Sequence, residues 1–163
     1  MIAIRKAADC DFDEIWPILQ EVFSKGDTYV FSPDMQKEEA RIVWLEVPMT
    51  TYVALKNDQI VGTYFIKPNQ PGLGSHICNA GYVVETNARG EGIGKVMCEH
   101  SLNEAKLMGF KGMQYNFVVS TNLNAIKLWE KCGFSKVGVL RNAYNHKEKG
   151  FVDAYIMYQW FEQ

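Results

Sequence analysis

No apolar stretch in this 163-residue chain approaches the ~20 residues that a bilayer-spanning helix needs, which excludes a helical membrane anchor. The opening MIAIRKAADCDFDE has neither a secretory hydrophobic segment nor an Arg/Ser-rich transit character, so a cytoplasmic protein is expected. Neither sign of charge prevails: 17 Lys+Arg stand against 19 Asp+Glu, for a net charge of −2. Without an overall positive field, neither nucleic acid nor an anionic membrane is expected as a partner, and any anion has to be held by local groups. Cys10, Cys78, Cys98 and Cys132 are widely spread, with no C-x-x-C pair and no His at zinc-module spacing, and they read as reduced, mostly buried thiols. His76 lies two residues before Cys78, on the same strand face, which leaves a catalytic Cys–His pair as the alternative for that thiol. No ligand cluster supports a metal. Prolines number only five, and no linker, repeat or low-complexity tract divides the chain, so one domain over residues 1–163 is expected.

What is present is 47% hydrophobic and 13% aromatic residues, enough for one substantial core, since a domain near this size hides roughly 70% of its unfolded surface. Ile2 and Ile4 alternate with Ala3 and Arg5, predicting a short strand. Phe12, Ile15, Trp16, Leu19, Val22 and Phe23 then recur at helical spacing after Asp9 or Asp11. Pro17 inside that pattern implies either a kink or a start late enough to leave it in the first turn. Ser32-Pro33-Asp34 reads as a second helix start, with Ser32 as cap and Pro33 at the first helical position. TTYVALK and QIVGTYFIK are strands joined by Asn57-Asp58, which is hairpin chemistry. HICNAGYVVE is a third long strand, in which Asn79 and Gly81 predict a bulge or a close backbone approach. A helix with Ile93, Met97, Leu102 and Ala105 in its core stripe stops at Gly109, and MQYNFVVS follows as a strand. Thr121 or Asn122 caps a helix running to Gly133, and SKVGVLR and FVDAYIMYQWF close the chain as strands. The order β-α-α-β-β-β-α-β-α-β-β predicts an α/β fold, a mixed sheet covered by helices on both faces. The alternating, apolar last strand offers a homodimer a pairing edge.

The most informative segment is Arg89-Gly90-Glu91-Gly92-Ile93-Gly94-Lys95, between a β-branched strand end and an amphipathic helix. Alternating glycines permit unusual dihedrals and remove the Cβ atoms that would keep an anion off the backbone, while the first N–H groups of the new helix lack intrahelical partners. Arg89 and Lys95 add positive charge, so the turn reads as a phosphate cradle. A dinucleotide fingerprint starting at Gly90 needs glycine where Lys95 stands. A Walker A loop ending at Gly94-Lys95 needs glycine at Arg89 and Ser/Thr at Val96. Both fail. The R-x-x-G-x-G pattern that fits resembles the pyrophosphate motif of the GNAT (GCN5-related N-acetyltransferase) superfamily. Some thirty residues on, Asn122-Leu-Asn-Ala125-Ile-Lys-Leu-Trp129-Glu-Lys-Cys-Gly133-Phe134 resembles the second CoA-facing segment of that family at nearly every position.

The resemblance implies a GNAT-like, mostly antiparallel sheet in which the parallel strands ending near Val84 and Val119 splay apart. Acetyl-CoA is the implied cosubstrate: pantetheine on the free edge around Val83 and Val84, pyrophosphate on Arg89, Gly90, Gly92, Ile93, Gly94 and Lys95, and Asn122 on the pantetheine arm. The Val84 amide, near the expected bulge, faces the thioester oxygen. Many relatives carry a Tyr where this chain has Trp129; the indole donates a hydrogen bond there or simply packs. Glu85 is the first candidate for general base, followed by His76, Asp153 and a water chain held by Tyr82 or Tyr115. Asn79 and Asn116 lie within strands and Asn122 opens a helix, so all three are placed to face one cleft. IKPNQPGLGSHICNAG and YNFVVSTN are similar to fungal GNAT enzymes that acetylate proline analogues such as azetidine-2-carboxylate. By that resemblance Asn79 and Asn116 hold the small amino acid, and Asn79 thereby takes part in catalysis; in the alternative they satisfy a bulge. Tyr29 and Phe31 cap the substrate or pack. The expected activity is direct acetyl transfer to a small-molecule amine. Protein or peptide acetylation is the alternative within the class, and CoA binding without turnover the alternative outside it.

Overall fold

The computed structural model describes residues 1–162. It contains strand β1 (Ile2–Lys6), helices α1 (Phe12–Lys25) and α2 (Lys37–Arg41), strands β2 (Thr50–Lys56), β3 (Gln59–Pro68) and β4 (Ile77–Val84), helix α3 (Ile93–Leu107), strand β5 (Gly112–Val119), helix α4 (Leu123–Lys131), and strands β6 (Ser135–His146) and β7 (Gly150–Trp160). This is the order that the periodicity predicts. The strands form one seven-stranded sheet, β1-β2-β3-β4-β5-β7-β6. Every neighbouring pair is antiparallel except β4–β5, which is parallel.

Local chemistry explains most of the boundaries. Asn57 and Asp58 both adopt positive φ (51° and 62°), the conformation that a two-residue hairpin turn demands, and Lys56 pairs with Gln59 across it. Gly109 (φ 89°) and Gly133 (φ 99°) follow α3 and α4 in left-handed conformations that release the chain. Asn122 caps α4, its Oδ1 accepting from the Ala125 N–H at 3.3 Å. Pro17 sits in the interior of α1, since the helix begins at Phe12. The carbonyl four residues back, at Asp13, therefore loses its helical donor.

Three expectations are corrected. Ser32-Pro33-Asp34 closes a turn rather than opening a helix: Met35 N–H donates to the Ser32 carbonyl (3.0 Å), and α2 begins only after the extended Gln36. The same Ser/Pro/Asp chemistry serves turns and caps alike, so the sequence does not separate them. The register of β4 on β3 is unbroken, with no bulge at Asn79 or Gly81. The irregularity lies across the gap, in β5 between Tyr115 and Val118. Last, β7 is flanked on both sides, by β5 and β6, so its edge is not available to a second subunit; the outer strands are β1 and β6.

Helices cover both faces. One layer packs Ile93, Met97 and Leu102 of α3 and Ile126 of α4 on Tyr64, Ala80 and Met113 of the sheet. The other packs Ile15, Leu19 and Phe23 of α1, with Trp44, on Val53, Phe65 and Val83. Trp44 is fully buried in a π-type turn over Ile42–Glu46, directly after α2. Its Nε1–H donates to Thr63 Oγ1 (3.0 Å), whose hydroxyl donates to the Tyr52 carbonyl (2.8 Å), while Thr51 Oγ1 donates to the Trp44 carbonyl (2.6 Å). Its ring meets Phe65 edge-on at 4.9 Å and Tyr29 at 5.9 Å. Replacing Trp44 with Ala removes this filler and the N–H that Thr63 Oγ1 accepts, so a loss of about 3–5 kcal/mol is expected. Urea unfolding checks it; a loss below about 1 kcal/mol contradicts the assignment of Trp44 as a core keystone.

Candidate active site

The site begins where β4 and β5 part. Their parallel ladder comprises only Ile77 with Gly112 and Cys78 with Met113. At the next residue a side chain takes over: Asn79 Nδ2 donates to the Gln114 carbonyl at 2.9 Å. Beyond it β5 turns away through its irregularity at Asn116 and Phe117, because an extra residue in one strand bends and twists it. Glu85 N–H to the Val61 carbonyl and Asn69 N–H to the Ile77 carbonyl set the phase of the β3–β4 ladder. Odd-numbered β4 residues therefore exchange hydrogen bonds with β3, and Ala80, Tyr82 and Val84 turn their main-chain groups toward the gap. Val84 thus faces the opening with its amide, whereas the Val83 backbone is engaged with Thr63. The gap is one cleft of about 790 Å3, in the size range of ligand sites.

At one end lies the glycine turn. Gly90 (φ 84°) and Gly92 (φ 81°) are left-handed, and a Cβ built on either meets nothing within 4 Å, so both leave open space above the backbone. Gly94 differs. Its Cβ position lies 3.1 Å from Leu128 Cδ2, so this glycine lets α3 approach α4 closely. The first intrahelical bond of α3 runs from Val96 N–H to the Gly92 carbonyl (3.1 Å), which leaves the amides of Ile93, Gly94 and Lys95 without helical partners at a positive dipole end. Arg89 and Lys95 line the cleft, while the one acid of the loop, Glu91, pairs with Lys56 at 2.5 Å outside it. The arrangement can seat a multiply charged anion without a metal or a side-chain cage.

The floor is aromatic. Trp129 packs at 4.9 Å from both Tyr82 and Tyr115, whose hydroxyls meet at 2.9 Å. Tyr82 also bonds Ser101 Oγ at 2.6 Å, and Ser101 donates to the Cys98 carbonyl. Burial pushes both tyrosine hydroxyls well above their usual pKa, so they stay protonated. Cys78 is buried and its thiol is pushed up to about 12 by desolvation, while His76 lies against Trp160 (6.4 Å); the Cys–His pairing is not formed.

The far end holds the asparagines. Asn79, Asn116 and Asn122 all line the cleft, with Phe31 and Tyr29 above them. Asn116 Nδ2 donates to Asn69 Oδ1 (2.7 Å), and Gln114 Nε2 donates to Asn116 Oδ1 (2.9 Å). The Gly26–Phe31 loop is held from two sides: Tyr29 Oη donates to the Tyr82 carbonyl (3.1 Å), Tyr144 Oη donates to the Tyr29 carbonyl (2.9 Å), and Lys147 N–H donates to the Gly26 carbonyl (3.0 Å). Gly81 is required here, since a Cβ would fall 2.7 Å from Phe65 and 2.9 Å from Tyr29 Oη.

Three candidates for a base are absent from the cleft lining. Glu85 continues the β3–β4 ladder and lies outside the lining, Asp153 binds Arg141 and the Asn142 N–H, and His76 is at Trp160. The lining contains no Asp, Glu or His, but it contains three cations, Arg89, Lys95 and Lys67. The sequence reading missed Lys67, Asn69, Gln114 and Tyr144. For Lys67, Gln114 and Tyr144 the only sequence signal is alternation along their strands, which selects a face without saying what lies above it, and Asn69 lies in the loop after β3. Among the described residues no helix is long and apolar enough to cross a membrane, and no group of three or more His, Cys, Asp and Glu is placed to hold a metal.

The family model for the acetyltransferase (GNAT) family matches residues 12–134. The N-acetyltransferase aca1 of Schizosaccharomyces pombe is 42% identical over 102 residues, which are 62% of this chain and 48% of that protein. The chain thus spans about half the length of this curated relative. A GCN5-related N-acetyltransferase from Kribbella flavida shares the fold with a TM-score of 0.93 at 34% identity, over 98% of each chain. A GNAT-superfamily phosphinothricin acetyltransferase from Sinorhizobium meliloti, in complex with AcCoA, has a TM-score of 0.88 over 98% of this chain and 88% of that one; at 18% identity it is a likeness of fold. The motif reading, the splayed strand pair and these matches agree, and the chain belongs to the acetyltransferase (GNAT) family.

Proposed function

We propose that the protein is an acetyl-CoA-dependent N-acetyltransferase that acetylates a small-molecule amine, a proline-like amino acid being the acceptor that its asparagines suit best. The observation that carries this reading is the single cleft with an anion cradle at one end, a free strand edge in the middle and a polar, aromatic-capped chamber at the other. When bound, acetyl-CoA supplies the activated thioester. The amides of Ile93, Gly94 and Lys95, with Arg89, hold its pyrophosphate, and the edge amides of Tyr82 and Val84 receive the pantetheine and the thioester oxygen. Asn122, already capping α4, lies along the pantetheine arm. The amine nitrogen bonds the acetyl carbon as the C–S bond breaks. The thiol, of pKa ~8.5, leaves as a nearly stable anion, so Trp129 serves as packing rather than as a proton donor.

With no carboxylate or imidazole in the lining, the acceptor attacks as the free amine and its proton passes to water. Free-thiol release from acetyl-CoA over a panel of amines tests the activity. Release with at least one small amine is expected. Tight CoA binding with no release from any amine leaves a binding domain instead. For an active acceptor, log kcat/KM should climb with pH up to the acceptor's own amine pKa; a plateau well below it reveals an enzyme base.

Gly92→Ala places a Cβ in the cradle at a left-handed position. We expect a folded domain weakened by about 1–2 kcal/mol and a CoA affinity lowered about tenfold or more. Gly109→Ala carries the same backbone strain away from the cleft, with open space around its Cβ. It is expected to cost similar stability and no affinity. Calorimetry with CoA and thermal melts compare the two, and equal affinities defeat the cradle.

A further inference from the structure

Lys67 is the one cation in the cleft that the anion cradle does not explain. It stands near the end of β3, directly opposite Asn79 in the β3–β4 register, at the fork where β5 departs. Its Nζ lies 5.6 Å from the centre of the Phe65 ring, the same ring that covers Gly81. It lines the cleft and is half-buried, and among the described residues it makes no ion pair or side-chain hydrogen bond; of the other two cations in the lining, Lys95 pairs with Glu99 and Arg89 has no ion pair. No Asp or Glu lines this cleft to neutralise it. An ammonium that leans on the Phe65 ring and spends none of its donors on another side chain is free to bond an anionic guest.

From this we infer that Lys67 is a specificity-determining residue, which anchors the carboxylate of an amino-acid acceptor. The inference rests on the acetyl-transfer reading above and narrows it to amines that carry a carboxylate. In an α-amino acid a single carbon separates the amine from the carboxylate, so fixing the carboxylate at Lys67 aims the nitrogen back along β4 toward the Tyr82 and Val84 edge. Asn79, facing Lys67 across the strand pair, and Asn116, held by Asn69 and Gln114, are the polar groups that close around the remaining oxygen. The same charge works against polyamines and lysine side chains in basic peptides, whose second cation would meet Lys67 with no acid in the lining to offset it.

The test is binding, with turnover as a separate readout. L-Proline and L-alanine, each beside its carboxamide, are titrated calorimetrically into CoA-saturated wild type, Lys67→Met and Lys67→Arg. Wild type is expected to bind the acids about ten- to a hundredfold more tightly than the amides. Lys67→Met should erase that ratio by weakening the acids alone, Lys67→Arg should restore most of it, and CoA affinity should be the same in all three. Amides binding as well as acids in wild type, a ratio that survives Lys67→Met, or no binding of either acid overturns the anchor. Thiol release separates the two levels. Lys67-dependent acid binding without release keeps the anchor and defeats acetyl transfer. Release with uncharged or cationic amines while the acids do not bind keeps the transfer and defeats the anchor.

Discussion

Everything in the site depends on β4 and β5 pairing for two residues and no more. A parallel ladder that ran on would consume the main-chain groups of Ala80, Tyr82 and Val84 and leave no opening between α3 and α4. The parting is stabilised from both sides. Asn79 replaces the missing ladder with a side-chain bond to the Gln114 carbonyl, and the irregularity at Asn116 and Phe117 turns β5 away while β7 continues to hold it. Asparagine is disfavoured in strands because its amide competes for backbone groups, and here that competition is what the fork needs. The packing around Trp44 ties β2 to β3 behind the fork.

The electrostatics follow from where the acids are not. A chain of net charge −2 has no global attraction for anions, yet its cleft is lined by cations alone, backed by the unpaired amides at the start of α3. Glu91 is paired to Lys56 and Glu99 to Lys95, so the acids nearest the cradle compensate lysines instead of opposing a phosphate.

The floor is stiff for a different reason. Tyr82, Tyr115 and Ser101 satisfy one another's hydroxyls beneath Trp129, and a buried polar network in which each member is bonded resists rearrangement because any loosened hydroxyl loses its partner in a dry interior. Phe134 stacks on Tyr115 at 4.2 Å, extending the layer behind α4. Trp129 adds apolar area over these hydroxyls, packed against both rings.

Local spacing alone determined the order of elements, the Asn57-Asp58 turn, the stops at Gly109 and Gly133 and the glycine turn before α3, and it narrowed the cap of α4 to Thr121 or Asn122, because each is settled by dihedral preference or periodicity within a few residues. The motif pair named Arg89, the glycines and Asn122 of the cleft lining, and Asn79 and Asn116 stood out as asparagines within strands. Tertiary structure decided the rest. Ser32-Pro33 made a turn because nothing near it distinguishes a turn from a cap, and β7 lay inside the sheet because strand order is a matter of long-range pairing. Lys67 came to line the cleft because β3 pairs it with Asn79 at the fork, and a strand residue's neighbour across the sheet is not written in its own vicinity along the chain.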